Sequence, residues 1–184
     1  MGEVYMLGGV NETRSSEENP IQVSWIETAL WPGHLGLTTA PGRTDGDRTT
    51  PEALEADLTR LRRNFAAQVL VSLLEPEEGD LQALHAQAED LGLDVLSHVV
   101  ADGGVPHDTP AFAEFADEVM NRLLNGETVL AHGLEDTGRA GLLAACLLVQ
   151  AGMTPQQGTA LVQAASPGAL EQPAQRRFVE AFGE

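Results

Sequence analysis

Lysine is absent from the 184 residues, so all positive charge rests on ten arginines facing 28 aspartates and glutamates, a formal net charge of −18. A mean field of that sign repels anions. Nucleic acid and anionic membrane surfaces are excluded as partners, because both are bound through clustered positive charge. An anionic group can bind such a chain only through local donors that overcome the global field. Cysteine occurs once, at Cys146, which excludes an intramolecular disulfide and a cysteine-based zinc site and fits a reducing compartment. No apolar run reaches the length of a membrane span, and "MGEVYMLGGVNETRSSEENP" lacks the basic start and apolar run of a secretory signal. A cytoplasmic protein is therefore expected. Asn11-Glu12-Thr13 matches the glycosylation pattern, which has no meaning without secretion. Aromatic residues make up only 4% of a chain that is 42% hydrophobic, so the core is built mainly from Leu, Val and Ala, as helices packed on a sheet require.

The length fits one domain with a sizeable core. Residues 1–20 are expected to form a flexible arm, polar and without periodicity from Val10 to Pro20, and the folded domain spans 21–184. "IQVSWIETAL" and "GHLGLTTAPG" read as two short extended segments, and "GRTDGDRTT" as a polar loop. Asp45 and Asp47 in that loop are weak candidates for a cation. Thr50-Pro51 and Thr109-Pro110 each place a cap residue before a proline at the first helical position. The first of these helices runs to about Asn64; the second carries Phe112, Phe115, Val119 and Leu123 and stops at Gly126. "QVLVSLL", a helix from Asp80 to Leu91 and "LDVLSHVV" make a strand, helix, strand crossover. A strand from Thr128 to Ala131 leads to a nearly wholly apolar helix, Gly141 to Ala151. Thr154 with Gln157 forms a capping box for a further helix to about Ala165, and a last helix covers Gln172 to Phe182. The fold class is α/β, with a central, mostly parallel sheet flanked by helices.

"TVLAHGLEDTGRAGLLAACLLV" (Thr128–Val149) has the form of a phosphate cradle. A strand ending in a tight loop before a helix presents backbone N–H groups and the positive helix end at one point, and Arg139 adds a planar fork. "LGLTTAPGR", "VVADGGVP", "VLAHGLEDTGRAGLLAACLLVQAGMTP" and "SPGALEQPAQRRFVEAF" occur in one order. Together they resemble the kinase-associated, cyclin-dependent kinase inhibitor phosphatase branch of the dual-specificity and tyrosine phosphatases, over residues 33–182. That resemblance implies a loop of His-Cys, five residues and Arg, with the cysteine thiolate attacking phosphorus. It also implies an aspartate on a neighbouring loop as general acid. Neither a metal nor another cofactor is expected. Here the positions fall on His132, Gly133, Leu134, Glu135, Asp136, Thr137, Gly138 and Arg139, with Asp102 as the acid. The nucleophile position is Gly133, which has no side chain to form a phosphoenzyme.

The expected function is thus a pseudophosphatase that keeps part of a phosphate-binding loop and acts by binding a partner, a phosphorylated protein or a small phosphoester. The alternative is a weak phosphatase in which water or a loop carboxylate attacks, Arg139 holds the phosphoryl group and Asp102 assists. Glu135 and Asp136 oppose a phosphate dianion by on the order of a kcal/mol each. Cys146 lies seven residues beyond Arg139, roughly 10 Å along a helix, and is expected to pack in the core. His132 is expected to fix the loop backbone. His34, His85, His98 and His107 lack metal-ligand spacing. Trp25 and Trp31 are expected as packing residues, and Arg43 as a solvated loop arginine.

Overall fold

In the computed structural model, residues 20–44 and 48–184 are described. The expected N-terminal arm, Asn11 and the two candidate cation ligands Asp45 and Asp47 lie outside them. Two short strands, β1 (Ser24–Ile26) and β2 (His34–Thr38), open the fold. Two further two-residue strands, β3 (Arg43–Thr44) and β4 (Arg48–Thr49), pair antiparallel where a plain polar loop was expected. Next come α1 (Pro51–Arg63), β5 (Val69–Ser72), a single 3-10 turn at Pro76–Glu78, α2 (Leu81–Asp90) and β6 (Asp94–Ser97). The chain closes with α3 (Thr109–Leu124), β7 (Thr128–His132), α4 (Gly138–Gln150), α5 (Pro155–Ala165) and α6 (Pro173–Phe182).

The main sheet has the order β1-β2-β7-β5-β6, antiparallel between β1 and β2 and parallel elsewhere. Its two central strands, β5 and β7, are buried at every residue, which explains their unbroken apolar runs. Edge strand β6 is covered less completely, and it ends at Ser97, short of the apolar "VV" at its end. One face of the sheet carries α1 and α2, whose Leu54, Leu58, Leu61, Leu84 and Ala88 pack on Leu70 and Leu130. The other carries α3 to α6, which pack on Val69, Val71, Val129 and Ala131. A leucine buried as fully as Leu58 or Leu61 contributes roughly 2 kcal/mol.

The helix starts are local. Thr50 accepts a hydrogen bond from the Ala53 N–H at 3.1 Å with Pro51 behind it, and Thr154 and Gln157 cap each other reciprocally. For α3 the cap is Asp108, which accepts from the Ala111 N–H at 3.0 Å; Thr109 is already inside the helix. The carboxylate of Asp108 outcompetes the hydroxyl because it is the better acceptor at a helix end. Helix α4 begins at Gly138, three residues before the expected Gly141, so Arg139 belongs to its first turn. Every residue from Arg139 to Leu148 is buried. A Cβ at Gly141 would come within 2.7 Å of the Ala169 Cβ, so glycine there lets α4 sit directly on the 166–170 turn. Cys146 is fully buried, and burial pushes its thiol pKa upward, as expected of a core residue. Trp31 is buried, while Trp25 is half-buried against His34 and Phe65.

Candidate functional site

The sheet topology places the loop after β7 at the carboxyl edge of the central strand. Open α/β sheets bind ligands at that edge. Residues 132–139 and the 101–104 turn meet there. Asp102 Oδ1 lies 3.8 Å from Arg139 Nη2, with the Asp102 side chain 68% exposed. Arg139 itself is 1% exposed and is gripped by a residue that the sequence did not single out. Glu78, on the 3-10 turn after β5, accepts from Nη1 at 2.6 Å and from Nη2 at 3.0 Å in a two-pronged pair. Nη1 also donates to the Val100 carbonyl at 2.9 Å, with the Leu73 carbonyl 3.5 Å away. Burial opposes the charge on Arg139, but the Glu78 hydrogen bonds and charge outweigh it and raise its pKa; the same pairing lowers that of Glu78.

A guanidinium has five N–H donors. The Glu78 and Val100 bonds occupy both Nη1 hydrogens and one on Nη2. The Nε–H has no partner, and a Cβ built on Gly133 would stand 3.2 Å from Nε. The edge of the fork left over therefore lies beside Gly133. Among the described residues, the backbone N–H groups of Leu134, Glu135, Asp136 and Thr137 donate to no protein acceptor. These groups, with the start of α4, are what an oxyanion needs.

The loop acids are engaged. Asp136 Oδ1 accepts from the Gly138 N–H at 2.9 Å, so Asp136 supplies the cap that Thr137 does not. It consumes a helix-end donor as well as adding charge. Glu135, 70% exposed, lies 3.7 Å from the guanidinium of Arg43. Arg43 is only 18% exposed, which corrects the expectation of a solvated arginine. Leu134 accepts from the Ala40 N–H at 2.9 Å, and the Thr137 hydroxyl shares a short hydrogen bond with Ser166. His132 is fully buried; its Nδ1 is 2.7 Å from the Gly133 carbonyl oxygen, so it does fix the loop backbone. Burial pushes its pKa down to about 4, which keeps the ring neutral.

Gln175 on α6, 2% exposed, donates from Nε2 to the Gly104 carbonyl at 3.0 Å and ties the Asp102 turn to the last helix. Its signal in the sequence was slight: one glutamine among the buried positions of an amphipathic helix. His98 stacks near Phe112 and Phe115, and burial lowers its pKa. Among the described residues no group of three or more His, Cys, Asp or Glu could hold a metal ion. No helix there is long and apolar enough to cross a membrane.

The strand, loop and helix with an arginine in the first turn, on this sheet, define the class: a dual-specificity phosphatase-like domain. The chain belongs to the cyclin-dependent kinase inhibitor 3 (CDKN3) family, whose model matches residues 8–159. The rat protein named cyclin-dependent kinase inhibitor 3 is 27% identical over 178 residues, 93% of this chain and 82% of the relative. Among solved structures, a kinase associated phosphatase with its catalytic-site cysteine replaced by serine superposes with a TM-score of 0.77. It is 24% identical, and the match covers 90% of this chain and 95% of that one. Tk-PTP in its active form superposes at 0.69, 21% identical, over 88% and 95%.

Proposed function

We propose that the protein is a pseudophosphatase, a phosphatase fold that binds a partner or a phosphorylated group without hydrolysing it. The observation that carries this is Gly133, which stands at the nucleophile position of the loop with the unpartnered Nε–H of Arg139 facing it. No thiolate can form there, while a hydrogen-bond donor for a phosphoryl oxygen remains. Other nucleophiles fit poorly. Cys146 is sealed in α4 with a raised pKa, Asp136 is turned onto the Gly138 N–H, and Glu135 is exposed beside Arg43. The cradle acts on residues 132–139, with Asp102 at its rim as a remnant of the acid. The name shared by the relatives points to a phosphorylated protein of the cyclin-dependent kinase kind as the partner. The cytoplasm is its compartment.

Affinity for a bare oxyanion is weak, because Glu78 holds most of the Arg139 fork and Asp136 takes one helix-end amide. A dissociation constant on the order of millimolar, about 4 kcal/mol of binding, is expected. The test is an aryl phosphate assay from mildly acidic to neutral pH, with Arg139→Ala as control. The two chains should be equally inactive. Saturable hydrolysis that depends on Arg139 overturns the proposal in favour of attack by water or a loop carboxylate, with Asp102 as acid.

A further inference from the structure

Threonine stands at the cap position of three helices and caps only two of them. Thr50 accepts from the Ala53 N–H and Thr154 from the Gln157 N–H, each at 3.1 Å and each three residues ahead. Asp80 and Asp108 do the same for α2 and α3 at 3.0 Å. The matching donor in α4 is the Ala140 N–H, and the Thr137 side chain does not take it. Nor is the backbone of Thr137, at φ −103° and ψ 16°, in the extended region that Thr50 and Thr154 occupy. Something outside the helix holds this threonine away from the role its neighbours perform.

The holder is Ser166, whose hydroxyl is bonded to that of Thr137. Ser166 closes α5, is 7% exposed, and begins a turn that is fixed from several sides. Leu170 in that turn has φ +59°, a conformation that side chains resist, and such residues persist only where the surroundings over-determine them. Here Gln163 donates to the Ala169 carbonyl at 3.2 Å, and Arg176 donates to the carbonyls of Leu170 and Glu171 at 2.7 and 2.9 Å. Ala169 also packs on Gly141 of α4 with no room for a Cβ between them. The turn is therefore a rigid base, and the hydroxyl at its head sets the position of Thr137.

The opposite end of the loop is anchored too. The Ala40 N–H donates to the Leu134 carbonyl at 2.9 Å, and the turn after Ala40 is fixed by Asp57, whose carboxylate accepts from the Gly42 N–H at 2.7 Å. Residues 134–137, whose N–H groups donate to no protein acceptor among the described residues, thus lie between two anchors that belong to other elements.

We infer that Ser166 is a positioning residue for the cradle: by engaging the Thr137 hydroxyl it keeps Thr137 from turning onto the Ala140 N–H, and so leaves that end of the donor row open to an anion. The inference rests on the cradle reading of residues 132–139. Asp136 shows what the alternative does, since its carboxylate already consumes the Gly138 N–H. A second capping side chain closes a further donor at the same helix end.

The test uses the whole chain labelled with nitrogen-15, as the native protein, as Ser166→Ala and as the double variant Ser166→Ala/Thr137→Val. Each is titrated with inorganic phosphate at pH 7, and exchange of the Ala140 amide is measured without phosphate. Ser166→Ala should slow Ala140 exchange, because the cap now forms, and should weaken phosphate binding about fivefold. Valine keeps the shape of threonine without its hydroxyl, so the double variant should return Ala140 exchange to the native rate and recover most of the lost affinity. A merely structural loss at Ser166 is not repaired by a second substitution. Native phosphate affinity in Ser166→Ala, unchanged Ala140 exchange, or a double variant as weak as the single one overturns the inference. Absence of phosphate binding in the native chain, with Ala140 exchange still slowed by Ser166→Ala, overturns the proposed function instead and leaves the hold of Ser166 on Thr137 standing.

Discussion

On one side of the β7–α4 loop, Arg139 has its charge matched: Glu78 takes hydrogens from both terminal nitrogens of its fork and the Val100 carbonyl takes another, with the Nε–H left unpartnered. On the other side, His132 and Ser72 are buried just as deeply, also with an unpartnered atom each, but with no counter-ion. The difference follows from charge. A guanidinium cannot shed its proton, so burial demands a counter-ion, and Glu78 provides it. An imidazole can go neutral, and His132 tolerates burial by losing its charge rather than finding a counter-ion. The same loop thus stores a fixed positive charge on the α4 side and a neutral acceptor on the α1 and α2 side. The first suits an anion, the second a donor.

The comparison is broken most severely by Glu78→Ala, which leaves Arg139 buried without its counter-ion and should cost roughly 3 kcal/mol, as loss of one member of a buried pair does. Urea denaturation measures it. Millimolar phosphate should restore part of the loss, because the freed guanidinium gains a ligand. Destabilisation below about 1 kcal/mol would mean that the grip is weak.

Acidification attacks the other side. His132 titrates near 6.5 in the unfolded chain and at about 4 in the folded one, so the unfolded state holds the extra proton between those values. Its contribution is fully present above pH 6.5 and is lost as pH falls towards 4, by roughly 3 kcal/mol in all. His98, lowered chiefly by burial with Asp108 opposing, adds in the same direction. Thermal melts from pH 7.5 to 4 should fall steeply for the native chain and less for His132→Gln, which carries no titrating group there.

A smaller effect is expected for Asp136→Gly, which removes a charge and frees the Gly138 N–H. Phosphate affinity should rise about tenfold, or 1.4 kcal/mol, while loss of the cap lowers stability by about 1 kcal/mol. With Gly133→Cys added, measurable aryl phosphate hydrolysis should appear, although Arg139 must shift by a few tenths of an ångström to admit a Cβ now placed 3.2 Å from its Nε. No gain in affinity and no turnover in a folded double variant would mean that the loop has lost its cradle shape.

The smallest change is Gln175→Ala. Removing its hydrogen bond to the Gly104 carbonyl should cost about 1 kcal/mol and speed amide exchange in residues 101–104, with residues 133–139 unaffected.

What was legible in the sequence was what neighbours in the chain decide. Thr50 with Pro51 and Thr154 with Gln157 marked helix starts, because a cap reaches only three residues ahead. The apolar runs of β5 and β7 marked buried strands, and the glycine between His132 and Leu134 is read directly from the chain. Errors arose where two local signals competed, as with Asp108 against Thr109 for the cap of α3, or where "GRTDGDRTT" paired with itself as β3 and β4.

The sequence by itself determined the α/β class, the cradle-like loop and the absence of a thiol from it, since each is written in residues within a few positions of one another. Only the tertiary structure decided what that loop is joined to. Glu78 is 61 residues from Arg139, and Gln175 is 71 from Gly104. Ser72 meets His132 only through strand register. Nothing in local spacing specifies such pairs. Folding buries a guanidinium, a carbonyl and an imidazole at one edge of the sheet, and each must find a partner or give up its charge according to what the fold brings within 3 Å.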